Sequence, residues 1–218
     1  MTFRWFDRWG PLAGPLGVMS FVVAILLYGN GPKDDDQKIV AYFAKDAHQT
    51  KYLVAFYFFF AAFLLMLVFL TALRALLIEA EGEPGRLTAL AFAGGVASAV
   101  LLLAANAFFA APAITAKDSD KFKLDPNTYR FINDTGYVFF ITGVMAAVLM
   151  VAATSVIALK TGVFPRWFAW VGFVVAATFL VAFFFVPIFV LWGWILVASG
   201  YMLLSTRRTA PPAAQSAG

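Results

Sequence analysis

Five long runs without a charged side chain are the feature of this sequence that most constrains its fold. The chain has 218 residues, and its 16 Lys and Arg, 12 Asp and Glu and single His all lie outside these runs. A helix needs roughly 20 apolar residues to cross about 30 Å of hydrocarbon, and each run reaches that length. The sequence therefore predicts an all-α integral membrane protein. The runs are residues 9–32, 52–73, 87–116, 135–159 and 167–206.

The last run is long enough to require a turn. Its 40 residues would form a helix of roughly 60 Å at 1.5 Å per residue, about twice the hydrocarbon core. Pro187 lies near its middle, where it cannot donate a backbone hydrogen bond but suits the first turn of a new helix. Dividing the run there gives six transmembrane helices in a single domain, residues 1–204. The predicted helices are 12–29, 52–78, 87–114, 136–159, 167–186 and 187–204.

The basic residues predict the orientation. Lys and Arg are equally numerous on the two sides, but those of the last helical hairpin all lie at its base, namely Lys160, Arg166, Arg207 and Arg208. Because cytoplasmic segments carry the excess of Lys and Arg, this base is predicted to be cytoplasmic. An even number of helices then places both the N- and the C-terminus in the cytoplasm. The tail 205–218 is short and rich in Pro and small residues, so we expect a disordered cytoplasmic tail.

Three of the predicted helices carry a glycine at regular spacing. Gly17, Gly95 and Gly172 are 78 and 77 residues apart, and the first two begin the similar stretches Gly-Val-Met-Ser and Gly-Val-Ala-Ser. Small residues let helix backbones approach closely, so we interpret these glycines as helix-packing positions. Three helical-hairpin repeats in parallel orientation explain the spacing. A chance match among apolar segments is the alternative.

The outer loops, 30–51 and 115–135, are predicted to contain short amphipathic helices. In the first loop, Asp36 suits the N-cap of a helix that ends at about residue 47 and has one apolar face. In the second loop, the Asp-Pro pair at 125–126 suits the N-cap and the first turn of another helix. Both helices are expected to lie along the outer interface and to cover the bundle.

Few polar side chains lie within the predicted spans, and Asn106 is the most costly of them to bury. Its amide either joins helices, a contribution on the order of 1 kcal/mol, or lines a ligand cavity, and the first interpretation is favoured. Trp192 and Trp194 lie one to two turns beyond Pro187 and point to different faces of their helix. They are candidates for the border of a cavity, with helix packing as the default interpretation.

The charged loops offer two weaker candidates for chemistry. His48 is the only histidine, so a catalytic or metal site would need carboxylates to converge on it. Asp34–Asp36 could join Asp118 and Asp120 around a hard cation such as Ca²⁺ if the two outer loops touch. Solvated loop residues are the favoured interpretation in both cases. The sequence thus predicts no enzyme activity, no cofactor and no metal, and a net charge of +4 spread over several loops does not favour nucleic acid.

Several stretches of the chain resemble the bacterial membrane family named domain of unknown function 4386. The resemblance covers most of the chain, from the first predicted helix to the sixth. It implies six helices, a multi-pass protein of the bacterial plasma membrane and no established activity, so it assigns no functional residue. The stretches are Gly31-Pro32-Lys33-Asp34, Ile39-Val40-Ala41-Tyr42-Phe43, Thr71-Ala72-Leu73-Arg74 and Thr161-Gly162-Val163-Phe164-Pro165-Arg166-Trp167-Phe168-Ala169-Trp170-Val171-Gly172.

Three functions remain open at this point. The favoured one is a non-enzymatic membrane protein that binds lipid or an apolar ligand, or packs with other membrane proteins or with a second copy of itself. A small permease for an uncharged or apolar solute is the alternative, for which the internal repeat is the argument. The remote alternative is an enzyme acting on lipid at the outer interface, and it needs His48 to meet at least two carboxylates.

Overall fold

A computed structural model describes residues 9–29, 31–119, 122–184 and 186–208, with the backbone alone for 206–208. All regular structure in these residues is helical. A 3₁₀ turn at Gly10–Leu12 leads into the first helix, and another at Ala182–Phe184 precedes the last. The helices are α1 (Ala13–Tyr28), α2 (Asp36–Phe43), α3 (Asp46–Glu81), α4 (Arg86–Asp118), α5 (Pro126–Thr161), α6 (Arg166–Phe179) and α7 (Val186–Arg208).

Five of these helices are long and apolar enough to cross a membrane. They are α1 with its preceding 3₁₀ turn, α3, α4, α5 and α7. The chain is therefore an α-helical, multi-pass membrane protein, as its charge-free runs predict. The exception is α6, an apolar helix of 14 residues that extends about 21 Å, roughly two-thirds of a hydrocarbon core.

The last apolar run divides earlier than predicted. The expected helix 167–186 ends at Phe179 in the structure, and α7 begins at Val186, one residue before Pro187. The apolar turn was expected around residues 183–186, but two antiparallel helices need a connection of several residues before the second can begin, so the turn starts earlier. The connection consists of the turn at Leu180 and the 3₁₀ segment that follows. The predicted tail 205–218 is helical as far as Arg208, and the remainder lies outside the described residues.

The outer segments are more helical than predicted. Residues 46–51 belong to α3 and residues 126–135 to α5, because neither segment contains a helix-breaking residue beyond Pro126, which takes the first turn of α5. The connections that remain between helices are 31–35, 44–45 and 119–125, as far as the structure describes them. The second outer helix is therefore the first part of a long helix, not a separate one lying along the interface.

Consecutive long helices pack side by side. In chain order α1 lies against α3, α3 against α4, α4 against α5 and α5 against α6, while α7 contacts both α6 and α1. The helices α4 and α5 approach each other closely. A Cβ atom on Gly94 would lie 2.9 Å from the backbone nitrogen of Met150, so only glycine permits this spacing. On the side facing α7, the core is aromatic and contains the buried rings of Phe21, Phe59 and Phe63.

The two turns on the side predicted to be cytoplasmic, called the inner turns, begin in the same way; the opposite side is called the outer side. Residues 82–85 join α3 to α4, and residues 162–165 join α5 to α6. Each begins with a glycine at positive φ, 75° for Gly82 and 73° for Gly162. This left-handed conformation ends a helix at little cost only when the residue lacks a Cβ atom.

Candidate functional site

Asn106 joins three helices near the outer end of the bundle. Its side chain on α4 is fully buried. The amide oxygen accepts a hydrogen bond of 2.7 Å from the Tyr28 hydroxyl of α1, and the amide nitrogen donates one of 3.1 Å to the Phe56 carbonyl of α3. Both ends of the amide are thus engaged by neighbouring helices. This is the geometry expected of a polar group that holds helices together in a membrane.

A cluster of tyrosines lies directly above this contact. The ring of Tyr28 meets that of Tyr52 edge-on at 5.1 Å, and the hydroxyl oxygens of Tyr52 and Tyr129 both lie beside Gly31. A Cβ atom on Gly31 would lie 2.8 Å from the Tyr52 oxygen, so the backbone here runs close to the cluster. Phe43 of α2 packs on both Tyr52 and Tyr129. The short helix α2 therefore covers the outer end of α3 and α5, as predicted for the first loop.

Charged residues hold the segment 31–43, which contains α2, over the outer ends of α3 and α5. Arg130 of α5 donates to the Lys33 carbonyl at 3.0 Å and pairs with the Asp36 carboxylate at 2.5 Å. Asp35, one residue earlier than predicted, is the N-cap of α2, and its carboxylate accepts a 3.1 Å bond from the Lys38 N–H. That backbone hydrogen bond, helped by the Lys38 ammonium, lowers the pKa of Asp35.

Two other candidates from the outer loops, Asp125 and His48, have separate neighbours. Asp125 caps α5 as predicted, and the N–H of Thr128 lowers its pKa by donating to it. His48 stacks on the Tyr42 ring at 3.8 Å and places Nδ1 2.9 Å from the Tyr42 carbonyl oxygen. Asp120 lies outside the described residues, and in the described parts no three His, Cys, Asp or Glu side chains are grouped as metal ligands would be. No pattern in the sequence indicated the His48–Tyr42 contact.

The two predicted tryptophans face different neighbours. Trp192 packs on Phe21 at 5.2 Å and on Phe63 at 5.7 Å, towards α1 and α3. Trp194 stacks on Phe168 at 5.4 Å, towards α6. Both indole N–H groups are buried without a hydrogen-bond partner in the described structure. The tryptophans therefore do not border one common cavity.

The three repeated glycines all lie at helix contacts. Gly17 faces α3 and α7, where a Cβ atom would lie 3.3 Å from the Ala62 carbonyl oxygen and 3.2 Å from the Trp192 ring. Gly95 faces Leu70 of α3, and Gly172 faces Ser155 of α5. A side chain at either of these positions would displace its neighbour. Their surroundings suit close packing, although Gly17 faces the helix that follows it and the other two face the helix that precedes them.

A narrow cleft between α3 and α4 was missed in the sequence. It lies near the inner turn, most of its lining side chains are buried, and it is too narrow to admit a water molecule. The Arg74 guanidinium lies at its edge, 5.7 Å above the Phe92 ring. In the sequence, the only indication is that Arg74 ends the second charge-free run. The lining residues are Leu70, Leu73, Arg74, Leu77, Thr88, Ala91 and Phe92.

The base of this cleft is fixed by Glu81. Its carboxylate accepts hydrogen bonds from the N–H groups of Leu87 and Thr88 at 2.9 and 2.7 Å, and from the Thr88 hydroxyl at 2.6 Å. A residue at the end of α3 thus caps the first turn of α4, where anionic groups are favoured. The end of α3 and the start of α4 therefore cannot separate without breaking these bonds.

The sequence matches no family model, no curated protein and no solved structure. The resemblance to domain of unknown function 4386 therefore stays a prediction from the quoted stretches. Any function has to be argued from the contacts described above.

Proposed function

We propose that the protein is a non-enzymatic membrane module that binds lipid, or another apolar molecule, on its surface. The observation that carries this proposal is the use of Asn106, the most polar side chain buried in the spans. Its amide oxygen accepts from Tyr28 and its amide nitrogen donates to the Phe56 carbonyl, so both ends of the amide serve to hold helices together. The faces towards hydrocarbon are apolar, with Leu26 of α1 and Val174 of α6 among the exposed residues. Recognition is then a property of those faces and of the clefts between them.

The proposed topology has six spans, with α6 as a short one. The turn residues 180–184 lengthen α6 towards the outer side, and the Tyr137 hydroxyl donates to the Phe183 carbonyl there. A satisfied carbonyl supports placing this turn in a region with little water. Basic residues at the hairpin base support cytoplasmic termini. The proposed setting is the bacterial plasma membrane, with the resemblance to domain of unknown function 4386 as its support.

The repeat of three parallel hairpins is proposed together with this topology. Its support is the common spacing of Gly17 and Gly95 and the matching design of the inner turns that begin at Gly82 and Gly162. The different neighbours of the three glycines count against an exact repeat. If it holds, the third hairpin, with α6 of 14 residues and α7 of 23, is the one that lacks a long outer segment.

A permease is the second candidate, favoured by the repeat alone. Transport through the bundle would require α2 to move, because Phe43 is packed on Tyr52 and Tyr129 over the outer end. The ion pair between Arg130 and Asp36 opposes that movement. The remote alternative, a lipid-acting enzyme, requires carboxylates around His48, whose described neighbour is the Tyr42 ring and carbonyl.

Purification in mild detergent followed by native mass spectrometry tests the proposal. We expect a protein mass accompanied by discrete phospholipid masses, or by a partner membrane protein or a second copy of the chain. The matched control is a soluble protein taken through the same detergent, which should retain none. A bare monomer under conditions that preserve lipid on other membrane proteins would contradict the proposal. Solute flux into vesicles containing the protein, absent from empty vesicles, would favour the permease.

A further inference from the structure

The outer segment 31–43 covers a small core of its own, separate from the main core of the bundle. Tyr28 packs against both cores. A helix of 8 residues is too short to be stable in isolation, so α2 is held by its contacts with the rest of the protein. Those contacts differ between its two ends. The buried residues of the small core are Ile39, Phe43, Tyr52, Ala113, Leu124 and Tyr129.

The C-terminal end of α2 is held by hydrogen bonds from the first turn of α3. Only residues 44–45 separate the two helices. The buried Gln49 side chain donates a 2.7 Å hydrogen bond to the Phe43 carbonyl, and His48 places Nδ1 2.9 Å from the Tyr42 carbonyl oxygen. The last carbonyl groups of a helix have no partner within it, and these side chains supply one. Separating this end would leave buried polar groups unpaired, which is costly.

The N-terminal end is held by exposed contacts with Arg130 of α5. Its guanidinium donates to the carbonyls of Lys33 and Asp34 at 3.0 and 3.3 Å and pairs with the Asp36 carboxylate. The Asp36 side chain is 66% exposed, so water and salt screen this pair and it contributes little to stability. The N-terminal end is therefore the easier of the two to release.

The backbone that leads into α2 covers the hydroxyl groups of the tyrosine cluster. A Cβ atom on Gly31 would lie 2.8 Å from the Tyr52 oxygen and 3.5 Å from the Tyr129 oxygen. Glycine permits this approach, and it also gives the backbone a wide range of angles once the contact is lost. Tyr52 packs on Tyr28, whose hydroxyl is bonded to Asn106. Lifting this cover would bring the outer solution to the phenol groups above the contact that joins α1, α3 and α4.

We propose that residues 31–43 form a lid that opens at its N-terminal end, about a hinge at residues 44–45, and admits the outer solution to the hydroxyl groups of Tyr52 and Tyr129. The difference between the two ends sets the direction, because an exposed ion pair is lost more readily than the buried hydrogen bond of Gln49. The open state is a minor population in exchange with the closed state described here. The inference goes beyond the proposed function and does not depend on it.

Opening is measured on the full chain in detergent, through a cysteine placed beneath the lid. The chain has no cysteine of its own, and Ala113 is buried in the small core. Ala113→Cys should react slowly with a small, water-soluble methanethiosulfonate, at a rate set by the open population. Adding Arg130→Gln should raise this rate about three- to fivefold, the effect of losing one exposed ion pair. Added salt should also raise the rate, and it should do so less when Arg130 is absent.

Two matched controls accompany this measurement. Ala105→Cys lies in the main core and is as fully buried as Ala113→Cys, so it should stay unreactive with and without Arg130→Gln. Lys38→Gln removes another exposed ion pair, the one with Asp35, which lies within the lid and does not join it to α5. It should leave the reactivity of Ala113→Cys unchanged.

The hinge is tested by distances to the inner end of α3. Spin labels on cysteines at Lys33 and Glu79 report the N-terminal end of the lid, and labels at Ala44 and Glu79 report the hinge; all three positions are exposed. In Arg130→Gln the distance distribution of the first pair should broaden while that of the second stays narrow. Gln49→Leu, which removes the bond to the last turn of α2, should broaden the second pair as well.

Each of these measurements has a result that contradicts the lid. Reactivity of the cysteine at residue 113 that is unchanged by Arg130→Gln, or raised equally by Lys38→Gln, would overturn it. A parallel rise for the cysteine at residue 105 would show that the whole bundle loosens, and it would overturn the lid as well. Equal broadening of both spin-label pairs in Arg130→Gln, or broadening of the Ala44 pair alone, would overturn the hinge at residues 44–45.

Discussion

The Tyr28 hydroxyl donates a 2.7 Å hydrogen bond to the side-chain oxygen of Asn106, which lies 78 residues further along the chain. The same spacing separates Gly17 from Gly95, so the bond connects positions that the proposed repeat makes equivalent. The bond places both residues at the same depth of the bundle, one on α1 and the other on α4. A repeat-related contact of this kind would fix how far one hairpin is shifted along the other.

Asn106→Leu should destabilise the protein without altering lipid retention. It removes the bonds to Tyr28 and to the Phe56 carbonyl and leaves the buried Tyr28 hydroxyl without a partner. Hydrogen bonds between membrane helices contribute on the order of 1 kcal/mol, so a loss of about 1–2 kcal/mol is expected. Thermal unfolding in detergent measures it. Tyr28→Phe removes only one bond and should therefore lose less stability. An Asn106→Leu protein that has normal stability but no longer binds lipid would contradict this role and identify Asn106 as a ligand group.

Arg130→Gln should loosen the segment over the tyrosine cluster. Arg130 holds this segment through the Lys33 carbonyl and the Asp36 carboxylate. Exposed ion pairs add little to global stability, so the melting temperature should change little while hydrogen exchange in residues 31–43 accelerates. Lys117→Gln is the control, because it releases Asp46 and Thr50 of α3 and leaves α2 in place. Equal exchange of residues 31–43 in both variants would show that Arg130 does not hold this segment.

The caps of α2 and α5 should weaken in acid. The N–H groups of Lys38 and Thr128 lower the pKa of Asp35 and Asp125 below the ordinary value of 3.8. A lowered pKa in the folded state means that the stabilisation is present above the unfolded pKa and is lost as the pH falls through the folded pKa. Hydrogen exchange at these helix starts should therefore rise below about pH 4. Asn at either position caps without a charge, so its exchange should not depend on this titration.

Hydropathy was sufficient to place the long helices, because a bilayer requires about 20 apolar residues wherever a helix crosses it. It did not show where α3 and α5 begin, since both helices continue past the apolar run into residues that pack under α2. The partner of Asn106 was also beyond a single sequence. Tyr28 is a polar residue of the first span, but pairing it with Asn106 requires knowing that α1, α3 and α4 meet. The cleft at Arg74 depends in the same way on which faces of α3 and α4 oppose each other.

The proposed topology can be tested by labelling single introduced cysteines, because the chain contains no cysteine of its own. Single cysteines at Lys45 and Lys123, both exposed, should react with a membrane-impermeant maleimide on intact cells. Cysteines at the exposed Arg86 and Arg166 should react only after the cells are opened, since these residues begin α4 and α6 at the side with basic hairpin ends. A permeant maleimide controls for reactivity at all four positions. The reverse pattern would place the termini outside. Labelling of Arg86 and Arg166 from opposite sides would show that α4 and α5 do not form a hairpin of two spans, and it would remove the parallel repeat along with it.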